Sequence, residues 1–306
     1  MDYSQKFEPK GNRVLHGAGQ SLDRFSSYWE AMGEYKPLIL MRYVMMTNVL
    51  RGIRKIKSEL KKFPNTIPQV GLKLLNEDQK DLTLEISRGD YDSDLDLLIS
   101  AFKELKKPIF LRIGYEFDKK GKYNPKNFVK AWKYIVDKLR VAKVDNVATV
   151  WCACPFNLGT DPVEPYYPGD NYVDWFGVDV FFARHITGKY KPVEDFLKLA
   201  IKHKKPVMIG ETTAAGTGVE KGKESWDEWF KPFFKLIHDH KQIKAFCYIN
   251  WDWLKDKTWG SPGTWGNCRI EENKVVKKNY INEMSNERYI HNINLSDFNN
   301  ITDHAP

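Results

Sequence analysis

The sequence has no apolar run as long as the roughly 18 residues that a membrane-spanning helix needs, so it predicts no transmembrane segment. Residues 1–12 are polar and contain no apolar signal core. Two interpretations follow. In the first, the protein is secreted, periplasmic or on the cell surface, and its signal peptide has been removed from this chain. In the second, it is cytoplasmic.

Cysteine is scarce, with four residues in 306: Cys152, Cys154, Cys247 and Cys268. Neither a second close cysteine pair nor a His-x-x-x-His motif completes a zinc-binding pattern, so we expect no metal and no other cofactor. Buried free thiols are the expected state. A Cys247–Cys268 disulfide is the alternative in a secreted protein.

Phosphate-binding and nucleic-acid-binding motifs are also missing. The segment His16-Gly17-Ala18-Gly19-Gln20 lacks the spacing of a dinucleotide-binding turn. The net charge is +8, from 48 basic and 40 acidic residues, but most lysines fall in stretches such as 54–62 that are typical of solvated helix faces. No basic cluster alternates with aromatic residues, so we expect no nucleic-acid partner. Long-range attraction of an anionic polymer is the alternative meaning of the charge.

Apolar strand-like segments alternate with helical segments along the whole chain. Strands are predicted at 13–18, 38–44, 69–75, 109–116, 148–153, 173–181, 207–211 and 245–251. Helices are predicted at 22–32, 49–62, 93–107, 125–142, 193–203, 225–240 and 277–285, with only a loop at 156–171. Eight such units predict an α/β fold, a single (β/α)8 TIM barrel domain over 1–306. The barrel would occupy about 12–285, followed by a polar tail; an open doubly wound sheet is the rival.

Two glutamates end predicted strands. Glu116 ends the fourth strand, and Glu211 ends the seventh. Chemistry in (β/α)8 enzymes lies at the C-terminal ends of the strands, and two carboxylates there suggest an acid and a nucleophile acting on one glycosidic bond. The alternative for a lone glutamate at such a position is a salt bridge or a charge at a helix N-terminus.

Alternation along the strands predicts which neighbours share the barrel interior with the glutamates. Gly114 and Arg112 would face inward with Glu116, and Asp179 would do so on the sixth strand. A buried arginine near Glu211 would keep that carboxylate ionised, as a nucleophile requires. A drier site and nearby negative charge would keep Glu116 protonated.

Aromatic residues surround the predicted site, as is typical of glycan-binding clefts. Trp151 ends the fifth strand, Trp251 and Trp253 end the eighth, and Trp259 and Trp265 follow in a glycine-rich loop. The predicted substrate-binding residues are Trp251, Tyr115, Arg112, Asp179, Trp151, Asn250, Gln20, Phe181 and Trp253.

Four segments together resemble family 26 glycoside hydrolases: 108–118, 166–179 (Tyr-Tyr-Pro-Gly-Asp-Asn-Tyr-Val-Asp-Trp-Phe-Gly-Val-Asp), 205–211 and Trp251. That family contains retaining β-mannanases and related endo-β-glycanases with a (β/α)8 fold and glutamates on strands four and seven. The resemblance covers about 12–285. It implies that Glu116 is the acid/base, that Glu211 is the nucleophile, and that Trp251 lies under the sugar whose bond is cut.

The chain departs from the family pattern at two positions. The family usually has histidine before the acid, where this chain has Tyr115. It also has a tyrosine near the end of strand six whose hydroxyl contacts the nucleophile, where this chain has Phe181. Tyr115 or Tyr248 would have to replace that hydroxyl.

The expected function is retaining hydrolysis of a β-linked, mannan-like polysaccharide, endo-acting, by a monomeric enzyme. One alternative is a related enzyme for an anionic or sulfated polysaccharide, which Arg184, Lys189, Lys221 and Lys223 would contact. The other is a carbohydrate-binding barrel without catalytic activity.

Overall fold

The protein is described here by a computed structural model that covers residues 2–155, 161–254, 256 and 264–303. The strands are β1 (Val14–Gly19), β2 (Ile39–Met45), β3 (Ile67–Lys73), β4 (Ile109–Ile113), β5 (Val147–Ala153), β6 (Trp175–Phe182), β7 (Val207–Ala215), β8 (Ile243–Tyr248) and β9 (Tyr289–Ile290). Strands β1 to β8 pair in parallel in sequence order, and β1 also pairs with β8. This closes the barrel and confirms the predicted fold class.

Helices lie between the strands of the barrel. They are α1 (Leu22–Ala31), α2 (Val49–Lys62), α3 (Thr83–Ser87), α4 (Asp92–Leu105), α5 (Pro125–Val141), α6 (Lys191–Lys202), α7 (Lys223–Ser225), α8 (Lys231–Asp239), α9 (Lys274–Met284) and α10 (Leu295–Ile301). A π-helical turn, Trp226–Phe230, joins α7 to α8. Within the described part of the connection from β5 to β6 there are only 3-10 turns, at Glu164–Tyr166 and Asp170–Tyr172, as the sequence predicts.

Amphipathic spacing explains why the helices pack on the barrel. In α2, Val49, Ile53, Ile56 and Leu60 are buried at intervals of three or four residues, so they form one apolar face. The side chain of Asn124 caps α5 by accepting a hydrogen bond from the Asn127 N–H at 3.1 Å. No helix in the described ranges combines the length and apolarity that crossing a membrane requires.

The chain after residue 285 is part of the fold, so the prediction of a polar tail was wrong. Strand β9 pairs with β1, and Phe298 of α10 is fully buried. The ring of Phe298 lies 6.3 Å from that of Phe7, which in turn lies 5.9 Å from Phe110 of β4. The N-terminal and C-terminal segments therefore pack together beneath the barrel. The prediction failed because the few large apolar residues of the C-terminal segment are separated by polar ones.

The cysteines are free and buried, as expected, and the alternative disulfide was wrong. The Cys247 thiol donates to the Gln69 side-chain oxygen at 2.8 Å, whereas Cys268 contacts the Trp265 carbonyl at 3.5 Å. These separate partners hold the two thiols in different environments.

Candidate active site

A tight turn after β4 positions Glu116. The strand ends at Ile113 rather than at 116, and both Gly114 (φ 54°) and Glu116 (φ 52°) adopt left-handed backbone conformations. A Cβ atom at Gly114 would lie 2.6 Å from Phe128 of α5, so a larger residue would clash there. The Glu116 N–H donates to the Cys152 carbonyl at 2.7 Å. The prediction from strand alternation was therefore wrong beyond Ile113, because a turn and not the pleat orients Glu116.

An irregularity within β7 positions Glu211. The strand continues to Ala215, so Glu211 does not end it, and the register with β8 shifts between Ile209 and Thr212. A Cβ atom at Gly210 would lie 2.7 Å from an Asp179 carboxylate oxygen. Gly210 and Glu211 thus both approach the barrel interior, and glycine is needed at 210 for close packing.

Arg112 connects two carboxylates inside the barrel. Its Nη1 donates to Glu211 Oε1 at 2.8 Å, and its Nη2 donates to Asp179 Oδ2. Arg112 and Asp179 are fully buried, and Glu211 is 5% exposed. Burial alone would lower the pKa of Arg112, but the neighbouring acidic groups, Asp179 foremost, raise it above its ordinary value. The guanidinium therefore stays charged and fixes the position of the Glu211 carboxylate.

Both glutamates line one cavity of about 490 Å³ at the C-terminal ends of the strands. The lining residues are Gln20, Arg24, Tyr43, Lys73, Tyr115, Glu116, Lys119, Phe181, Phe182, Glu211, Ile249, Trp253 and Trp265. The cavity is large enough for at least one sugar ring and combines aromatic surfaces with hydrogen-bonding groups.

The electrostatic environment of Glu116 differs from the predicted one. Lys119 Nζ lies 2.6 Å from Glu116 Oε2, and Lys122 Nζ lies 4.0 Å from the same oxygen. Burial acts to raise the pKa of Glu116, but these lysines lower it to about 2. The expectation of a protonated Glu116 was therefore wrong, since positive and not negative charge lies beside it.

Asp118, two residues after Glu116, is fully buried. Its Oδ1 accepts the Cys154 N–H at 2.7 Å, and its Oδ2 has no hydrogen-bond partner among the described residues. Burial raises the pKa of Asp118 from 3.8 to about 7. A folded-state pKa above the unfolded one means that the stability of the fold declines as pH rises between these two values.

We expect Asp118→Asn to raise the free energy of unfolding by roughly 2–4 kcal/mol more at pH 8 than at pH 4. Asparagine can keep the hydrogen bond from Cys154 but cannot ionise, so it avoids the cost of a buried charge. Thermal unfolding of both proteins at the two pH values measures the difference. An equal effect of the substitution at both pH values would contradict the raised pKa.

A tyrosine that sequence reasoning missed lies beside Glu211. Tyr43 of β2 lines the cavity, and its ring lies 5.3 Å from that of Tyr115. Burial, followed by the charge of Glu211, raises the pKa of Tyr43 above its ordinary value. Tyr43 therefore supplies a hydroxyl near Glu211 in place of the one that Phe181 lacks. Tyr248 does not, because it is buried and donates to the Cys268 carbonyl at 2.7 Å.

Four of the predicted substrate-binding residues line the cavity: Tyr115, Gln20, Phe181 and Trp253. Gln20 has a left-handed backbone (φ 86°), and its buried Oε1 has no hydrogen-bond partner among the residues described. Arg112 and Asp179 lie directly beneath the cavity, where they hold Glu211.

Other predicted contacts are structural. Trp151 is fully buried, stacks on Phe117 at 4.6 Å and donates to the Tyr166 carbonyl, so its assignment to the substrate site was wrong. Asn250 is buried too, where its amide nitrogen donates to Ser27 and Glu271 at 3.0 and 2.9 Å. These hydrogen bonds connect the segment after β8 to α1 and to the 3-10 turn at Ile270–Glu272.

Trp251 does not line the cavity, although the family resemblance places it under the sugar. The Arg24 guanidinium covers its ring at 4.3 Å, and its indole N–H donates to Asp256 at 3.1 Å. Trp253 and Trp265 contribute the indole surfaces of the cavity instead. Trp259 lies outside the described residues.

The family resemblance is borne out by known proteins. The model of Glycosyl hydrolase family 26 matches residues 102–217. Beta-1,3-xylanase TXYA of a Vibrio species is 27% identical over 315 residues, covering 90% of this chain and 66% of that protein. A beta-1,3-xylanase of an Alcaligenes species is 26% identical over 312 residues, covering 90% and 64%. The chain thus spans about two thirds of the length of these relatives.

Solved structures of similar fold include two mannanases. The modular endo-beta-1,4-mannanase of Cellulomonas fimi superposes with a TM-score of 0.68 at 13% identity, covering 95% of this chain and 76% of that one. The family 26 beta-mannanase BoMan26A of Bacteroides ovatus gives 0.63 at 15% identity, covering 92% and 88%. These likenesses confirm the (β/α)8 barrel. Together with the family match, they confirm the predicted resemblance to family 26 glycoside hydrolases.

Proposed function

We propose that the protein is a retaining, endo-acting glycoside hydrolase that cleaves a β-linked polysaccharide. The observation that carries this proposal is that Glu116 and Glu211 line the same cavity in two different charged environments. The family 26 match and the beta-1,3-xylanase relatives support it. A mannan or a β-1,3-xylan is the first substrate to test.

In the first step, Glu211 attacks the anomeric carbon while Glu116 protonates the departing glycosidic oxygen. Arg112 pairs with the Glu211 carboxylate at 2.8 Å and fixes its direction. Retention requires a separation of about 5–5.5 Å between the two carboxyl groups, with no space for water between the nucleophile and the sugar.

In the second step, Glu116 takes a proton from water while the water oxygen attacks the anomeric carbon, and the Glu211 carboxylate leaves. Glu116 must be ionised for this step, which its contact with Lys119 favours. For the first step Glu116 must be protonated. A bound sugar would therefore have to raise the pKa of Glu116, either by displacing Lys119 or by excluding water.

Aromatic residues form a wall on which sugar rings can lie. Phe181 and Trp253 each lie 5.1–5.2 Å from Trp265, ring centre to ring centre. Their flat surfaces suit the C–H faces of pyranose rings.

Because a polysaccharide cannot cross a membrane intact, we expect the protein to act outside the cytoplasm. We also expect it to act as a monomer.

The test is a panel of β-1,3-xylan, β-1,4-xylan and β-1,4-mannan, with products followed by proton NMR from the first minutes. We expect one polymer to be cut internally, releasing oligosaccharides whose new reducing ends have the β configuration before mutarotation. First products of α configuration would exclude the retaining mechanism. Tight binding to these glycans without any new reducing ends would favour the carbohydrate-binding barrel.

A further inference from the structure

Two lysines, Lys119 and Lys122, lie against Glu116 at one side of the cavity, and a third, Lys73, lies near Lys119. Lys73 ends β3, and Lys119 and Lys122 follow the turn after β4. Lys122 is held in place, because its Nζ donates to the Tyr115 carbonyl at 2.7 Å and lies 4.9 Å from the centre of the Tyr115 ring. Lys73 and Lys119 line the cavity itself.

The other charges of the cavity are paired. Glu211 contacts Arg112 at 2.8 Å, and Arg24 contacts Asp256 at 3.1 Å. Glu116 is therefore the acidic group available to Lys119 among the described lining residues, and it also lies within 4.0 Å of Lys122.

Lys73 has no carboxylate partner in the described part of the chain. Its Nζ donates to the neutral side-chain oxygen of Gln79 at 2.7 Å. Burial, and then the nearby charge of Lys119, lowers the pKa of Lys73. Two ammonium groups that repel each other at the wall of a cavity are stabilised when a ligand brings an anion between them.

We propose that the glycan bound in this cavity carries an anionic group, sulfate or uronic carboxylate, and that Lys73 and Lys119 bind this group beside Glu116. The proposal rests on the proposed function, in which the cavity holds a sugar chain. The basic residues suggested from the sequence, Arg184, Lys189, Lys221 and Lys223, do not line the cavity. Lys221 and Lys223 pair instead with Glu224 and Asp227.

Anion binding would also prepare Glu116 for catalysis. An anion that contacts Lys119 competes with Glu116 for its ammonium group, and the carboxylate then loses the charge that keeps it ionised. Protonation of Glu116 becomes easier when the substrate is in place. The acid would thus be formed preferentially with an anionic substrate.

Binding of matched polymer pairs to the Glu211→Gln protein tests the proposal without turnover. One pair is β-1,3-xylan and its lightly sulfated form, and the other is glucuronoxylan and its carboxyl-reduced form, each titrated by calorimetry at pH 7. We expect at least one anionic form to bind about tenfold more tightly than its neutral partner. A preference in the xylan pair indicates sulfate, and a preference in the glucuronoxylan pair indicates carboxylate. Equal or tighter binding of the neutral form in both pairs would overturn the proposal.

Lys73→Gln, added to Glu211→Gln, should remove most of this preference. The matched control is Lys235→Gln, which removes the same charge from the outer helix α8, where Lys235 pairs with Asp239 at 2.7 Å. We expect the control to keep the preference. Equal losses in the two variants would show that only the overall net charge attracts the polymer, and the assignment to Lys73 would fail.

Initial rates of the unsubstituted protein on the same pairs provide a second measurement that does not depend on the folding of any variant. Faster cleavage of an anionic form supports the proposal. Equal cleavage of both forms contradicts it but leaves the proposed hydrolase function intact. Preferential binding of an anionic form without cleavage of any polymer would instead contradict the hydrolase function while supporting the anion site.

Discussion

Glu211→Gln is expected to lower the rate of polysaccharide hydrolysis by about a thousandfold or more. Glutamine has nearly the same shape as glutamate, so the shape of the cavity is unchanged. Its amide, however, cannot form the glycosyl intermediate. The rate is measured from the reducing ends released by the substrate that the panel identifies.

Glu224→Gln is the matched control for this substitution. Glu224 is an exposed residue of α7 that pairs with Lys221 at 2.6 Å, away from the cavity. We expect it to keep the original rate, and circular dichroism should show both variants folded. A Glu211→Gln protein that folds and keeps activity within tenfold of the original would exclude Glu211 as the nucleophile.

Glu116→Gln is expected to affect substrates according to their leaving group. Loss of a general acid lowers the rate on the natural polymer by about 10²–10⁴-fold. A dinitrophenyl glycoside of the same sugar needs no protonation of its leaving group, so its glycosyl-enzyme should still form at close to the original rate. Hydrolysis of this intermediate should slow, because Glu116 also activates water.

A burst of dinitrophenol followed by slow turnover is the measurable result, and azide should accelerate the slow phase of Glu116→Ala by replacing water as the nucleophile. Equal losses on the polymer and the dinitrophenyl glycoside would contradict the acid/base role of Glu116. In that case the contacts of Glu116 with Lys119 and Lys122 would be purely structural.

The order of strands and helices could be predicted because it depends on local patterns. Buried parallel strands are continuously apolar, and a helix such as α2 repeats its apolar residues every three to four positions. The ends of β4 and β7 could not be predicted in the same way. The turn at Gly114 and the irregularity near Gly210 depend on contacts with Phe128 and Asp179, which are distant in sequence.

The two glutamates of the candidate site were visible in the sequence, because both follow apolar strand-like segments and the neighbouring segments resemble a known family. The aromatic residues were harder to assign. Trp151 and Trp253 both follow or end strands, yet one packs on Phe117 in the core and the other lines the cavity. Their environments differ because neighbouring elements cover Trp151 and leave Trp253 beside the cavity.

The sequence by itself determined that the chain forms a barrel with acidic residues at the C-terminal ends of its strands. Only the tertiary structure decided which charged groups surround those acids. Arg112, Asp179 and Glu211 come from three strands, and Lys119 and Lys122 approach Glu116 through an irregular turn. Electrostatic interactions depend on distance through space and on burial, not on separation along the chain, so the reversal of the expected protonation of Glu116 could be recognised only once the chain was folded.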